Sequence, residues 1–182
     1  MTDTLTTTAS KALNVSFALP DTVTAADSAL EGALTFCKEK MHLIDTDTVL
    51  TDLQRGDRVA RAYFERGLAE RVAEYLGALD EEVRAVYLYD AEATPEDIVF
   101  GESAPSLIHL IVWARRETEA LNSLIAGLDR TLVQRYAKRI AAPELRCLLD
   151  MQIVDDAQVN ARTGYGSLLA SLHYRPVQVW KR

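Results

Sequence analysis

Leu107-Ile108-His109-Leu110-Ile111-Val112-Trp113 is apolar at every position but one. So nearly continuous an apolar run, this short, suits a central β-strand covered on both faces. Only His109 interrupts it.

The flanking segments change period. Downstream, Arg115 to Ile140 carries Leu121, Leu124, Ile125, Leu128, Leu132, Tyr136 and Ile140 at helical spacing, and Pro143 marks the end. Leu145 to Val154 then reads as a strand. The step from Trp113 to Leu148 is long enough for a right-handed parallel crossover. Upstream, Val83-Arg84-Ala85-Val86-Tyr87-Leu88-Tyr89 is β-branched and aromatic, which favours a strand. The stretch from Asp90 to Ala104 is acidic, with Pro95 and Gly101 inside it, and reads as a loop. Ile98-Val99-Phe100 is the one part of it with strand character.

Further out, Asp57 to Leu79 predicts a long helix with Ala60, Phe64, Leu68, Val72, Tyr75, Leu76 and Leu79 on one face. An earlier helix carries Ala26, Ala29, Leu30, Ala33, Leu34, Cys37 and Met41, with Thr24 and Asp27 resembling a capping box. A polar turn is expected at Asp45-Thr46-Asp47-Thr48. Residues 1–12 are Thr-rich and predict a flexible tail. Asn14 to Leu19 predicts a short edge strand. After Val154, Asp155 or Asp156 caps a short helix ending at Gly164, Ser167 to Leu172 adds a turn, and Pro176 to Trp180 forms a last strand. The expected fold is α+β: one domain over 13–182, a mixed β-sheet packed with long amphipathic helices.

Composition narrows the function classes. With 27 Asp+Glu against 20 Lys+Arg, the formal charge is −7. That opposes general binding to nucleic acid or anionic lipid. Arg115, Arg116, Arg130, Arg135, Lys138 and Arg139 are the candidates for a basic patch, and they read better as the solvated face of one helix. No stretch is long and apolar enough to span a membrane. The first residues lack the basic and apolar regions of a secretory leader, so a cytoplasmic location is expected. Cys37 and Cys147 form no CxxC and read as two thiols in a reducing compartment.

The chemistry-bearing residues are few. His42, His109 and His173 have no metal-ligand spacing, so no metal site is expected. Nucleophile elbow, P-loop and dinucleotide fingerprints are absent, and Gly164-Tyr165-Gly166 reads as a helix end and tight turn. His109 is either a hydrogen-bonded core residue or an imidazole base or sensor. Asp90 and Glu92 follow one strand. Asp150 lies inside another, where it is expected to share a face with Arg146 and Gln152 while Leu149, Met151 and Ile153 point the other way. Carboxylates converging on one sheet face can hold Mg²⁺. Asp90, Glu92, His109 and Asp150 are therefore the candidate site residues.

This layout resembles the nucleotidyltransferase superfamily over roughly residues 57–154. Val86-Tyr87-Leu88-Tyr89-Asp90 is similar to the family's first strand and turn. Leu107 to Val112 is similar to its second, and Leu149 to Val154 to its third, with Asp150 where a third carboxylate would sit. Asp90-Ala91 replaces the family's Gly-Ser, and Leu107 and His109 replace its Asp-x-Asp. The resemblance therefore implies a degenerate, non-catalytic relative: an interaction or regulatory domain that associates with itself or a protein partner. Tyr165, Tyr174 and Trp180 are candidate contact aromatics. The alternative is an Mg²⁺-dependent enzyme or a binding protein acting on a nucleotide or small molecule. In that reading Asp90, Glu92 and Asp150 are the carboxylates and His109 the base.

Overall fold

The computed structural model describes residues 22–89, 108–171 and 176–182. The expected tail over 1–12, the strand at 14–19 and the loop over 90–104 lie outside the described residues, as do His173 and Tyr174.

Helix α1 spans Thr22–Lys40 and buries Ala26, Ala29, Leu30, Ala33, Leu34 and Cys37. It begins before Thr24, so the expected Thr24–Asp27 capping box does not start it. Helix α2, Thr46–Gln54, stands where a polar turn was expected. Asp45 is its N-cap: one carboxylate oxygen accepts from Thr48 N at 2.8 Å, a residue type that signals turns and helix starts alike. Helix α3, Arg58–Leu79, is capped by Asp57, which accepts from Val59 N and Ala60 N. Phe64, Leu68, Val72 and Leu76 repeat at helical spacing and form its buried stripe.

The sheet follows. Strand β1 is Val83–Tyr89 and β2 is Ile108–Ala114. Helix α4, Glu119–Arg139, is capped by the Thr118 hydroxyl. Strand β3 is Leu149–Val154. Helix α5, Asp156–Ala161, carries a capping box built from Asp155 and Gln158. A 3₁₀ helix spans Gly164–Ala170, and β4 is Val177–Lys181. The strand order is β3-β2-β1-β4. β1 runs antiparallel to β2 and β4, while β2 and β3 are parallel, joined across α4. The mixed α+β architecture is thus the one the periodicities predict.

Alternation divides the strands between two faces. Val86, Ile108, Leu110, Val112 and Leu149 join the buried side chains of α1, α3 and α4 in one core, with Met151 and Ile153 packed against it. Ile111 and Val154 point to the second face and are each 1% exposed. The central strand is therefore covered on both sides, as its apolar run requires. Residues 145–148, read as strand from their composition, precede β3 instead. Asp129 explains where pairing begins: its Oδ1 accepts from Leu148 N at 3.2 Å and Leu149 N at 2.9 Å. Arg146 therefore lies before the strand and does not share the alternation of Asp150 and Gln152.

Two fasteners hold the ends. Arg84, at the irregularity in the β1–β2 register, lies over the Trp113 ring and reaches Asp156 Oδ2 at 2.6 Å. Asp156 Oδ1 accepts from Trp113 Nε1 at 2.9 Å, so the first residue of α5 is tied to β1 and β2. At the far edge, the Arg182 guanidinium donates to Gly77 O, to Asp80 O at 3.1 Å and to Val83 O at 3.1 Å. The Gly77 and Asp80 carbonyls sit at the C-terminal, partially negative end of α3, and Val83 opens β1. Trp180 packs over Gly77, where a Cβ would collide with Cζ2 of the Trp180 ring. Among the described residues no helix is long and apolar enough to cross a membrane.

Candidate functional site

Parallel pairing sets His109 directly beside Asp150. The antiparallel ladder on the other side sets His109 opposite Tyr89. These residues form one row across the second face. His109 Nδ1 lies 2.9 Å from Asp150 Oδ2, with side chains 27% and 34% exposed. Gln152 Nε2 donates to Asp150 Oδ1 at 2.7 Å. The Tyr89 ring meets the imidazole edge to face, centroids 6.5 Å apart.

The hydrogen bonding sets what this row can do. A carboxylate accepts only, so Nδ1 carries a proton toward Asp150, and in the neutral ring Nε2 is the nitrogen with the free lone pair. Both Asp150 oxygens are engaged, one by imidazole and one by amide. The arrangement orients an imidazole for accepting a hydrogen bond or a proton.

Of the four site residues expected from sequence, the structure brings His109 and Asp150 together. Asp90 and Glu92 lie outside the described residues. Gln152 joins them from the same face of β3, as strand alternation foresaw. Tyr89 was not foreseen as a member, because its place depends on the β1–β2 register. Among the described residues, no group of three or more His, Cys, Asp or Glu side chains is placed to hold a metal ion.

Cys147 lies just before β3, and its Sγ contacts Leu149 O at 3.1 Å and Asp129 Oδ2 at 3.6 Å. Burial pushes this thiol up, and the charges of Asp129 and Asp150 push it further. It is held as the thiol, the poorly nucleophilic form. The candidate basic patch is interleaved with acids: Arg135 reaches Asp27 at 3.5 Å, Arg139 reaches Glu31 at 2.7 Å, and Arg116 lies 3.7 Å from Glu82.

The chain matches no protein-family model, no curated protein and no solved structure.

Proposed function

We propose that the protein is a non-catalytic, ligand-responsive regulatory domain on a nucleotidyltransferase-like sheet. The second face of that sheet reads a nucleotide or small polar ligand through His109. One observation carries this reading: the 2.9 Å contact between His109 Nδ1 and Asp150 Oδ2. It supports the reading because it brings together the residue in place of a metal-holding acid and the aspartate in place of the third carboxylate. An oriented imidazole there offers a directional acceptor where such a family would hold a metal. Calorimetric titration with ATP, with and without Mg²⁺, tests it. Saturable heat without a metal requirement, lost in His109→Ala, is the expected result. Heat that appears only with Mg²⁺, or that persists in His109→Ala, overturns it.

The same contact favours a second reading, in which His109 is a general base oriented by Asp150. Turnover of a ligand found in the titration, abolished in His109→Ala and reduced in Asp150→Asn, would select it. Self-association belongs to the regulatory reading. It is supported by β4, which stands at one end of the strand order with Val177 48% exposed. A strict monomer in sedimentation equilibrium removes that part.

A further inference from the structure

On the other side of the sheet from His109, a cavity of about 200 Å³ opens between α3, the end of α4 and the starts of β2 and β3. Phe64, Ile108, Tyr136 and Leu148 are among its lining residues, with Arg61 and Glu65 beside them. The Phe64 and Tyr136 rings are stacked, centroids 4.9 Å apart and planes 16° from parallel. Tyr136 is 8% exposed. A tyrosine hydroxyl both donates and accepts, so Tyr136 can meet a polar group on a molecule entering the cavity it lines.

We propose that this cavity binds a small, uncharged aromatic molecule carrying one hydrogen-bonding group, of which phenol is the simplest example. Size sets the first limit, since an apolar cavity of about 150 Å³ accommodates benzene. The stacked aromatic wall sets the second, by favouring a planar apolar body. Tyr136 supplies the single directional contact. Charge sets the last limit: Arg61 and Glu65 stand one helical turn apart on α3, and their fields at the Tyr136 hydroxyl oppose each other. An anion or cation would gain from one and lose to the other. Glu144, also lining the cavity, weighs further against an anion.

Titrating phenol, toluene and benzoate into the whole chain by two-dimensional NMR tests this, using wild type, Tyr136→Phe and Ala142→Leu. Phenol is expected to shift the signals of Phe64, Ile108 and Leu148 saturably and to bind more tightly than benzoate. Tyr136→Phe should weaken phenol about five-fold, the worth of one neutral hydrogen bond, and leave toluene unchanged. Ala142→Leu fills the cavity and should abolish both. Retained toluene binding in Tyr136→Phe shows that this variant is folded, and an unchanged melting temperature does the same for Ala142→Leu. Absence of saturable shifts in wild type, equal phenol affinity in Ala142→Leu, or no phenol-specific loss in Tyr136→Phe overturns the proposal.

Discussion

His109 and Asp150 are 41 residues apart in the chain and 2.9 Å apart in space, because the parallel ladder of β2 and β3 makes them register partners. The contact fixes an imidazole tautomer. Asp150→Ala should release it, moving the neutral ring toward the Nε2–H form common in free histidine. Two-dimensional ¹⁵N correlation spectra of the imidazole read this directly. An Nδ1–H tautomer that survives the substitution would show that something other than Asp150 orients the ring. The stability cost should be small, about 1 kcal/mol, since both groups are partly solvated.

Asp129 carries a different load. Its carboxylate receives two backbone N–H groups at the start of β3. Asp129→Ala orphans both and should cost about 2 kcal/mol in urea unfolding, within the range for unsatisfied polar groups. Asp129→Asn keeps an acceptor oxygen and should recover about half. Equal losses for the two variants would mean that the charge, not the acceptor geometry, holds the strand.

Gly77 admits no side chain. A methyl there would collide with the Trp180 ring. Gly77→Ala should therefore destabilise by about 1–3 kcal/mol, as overpacking does, although alanine is the better helix former. Pairing it with Trp180→Leu should return part of the loss. Two additive penalties would place the clash elsewhere.

Alkaline pH should weaken the fold early. Burial pushes the Cys37 thiol up to about 11 from 9.0, with Asp52 and Asp57 adding to the effect. Its Sγ contacts Ala60 O at 3.4 Å in the core between α1 and α3. Below pH 9 the thiol is protonated in both states and its contribution is complete. Between about pH 9 and 11 only the unfolded chain ionises, so stability is lost as pH rises. Cys37→Ala should flatten that part of the profile in urea melts from pH 8 to 11. Tyr136, which burial pushes up to about 12, continues the decline above pH 10. A wild-type profile without slope between pH 9 and 11 would contradict the assignment.

How far the sequence disclosed this structure depends on the range of each interaction. The α3 stripe from Ala60 to Leu76 and the β2 run are local patterns, and each is read from neighbours within one or two turns. Helix α2 escaped because Asp45-Thr46-Asp47-Thr48 fits a turn as well as a helix start. The bounds of β3 escaped because Leu145 and Leu148 are buried while outside the strand. Apolar composition reports burial, and burial is not pairing. His109 and Asp150 were each conspicuous, but their contact depends on a register between strands that no local pattern encodes. The stacked Phe64 and Tyr136 likewise lie on different helices, each reading as an ordinary stripe residue.

The Arg182 clamp and the seat of Trp180 on Gly77 have a kinetic corollary. β1 takes one of its two neighbours from a strand about a hundred residues further along. During vectorial synthesis, α3 and β1 leave the ribosome long before β4 exists to meet them. One edge of β1 must therefore wait, exposed to wrong partners, until residue 182 has cleared the exit tunnel. Closing so distant a contact slows folding and lengthens exposure to aggregation. Nascent chains stalled before residue 177 should be the ones that most need a chaperone.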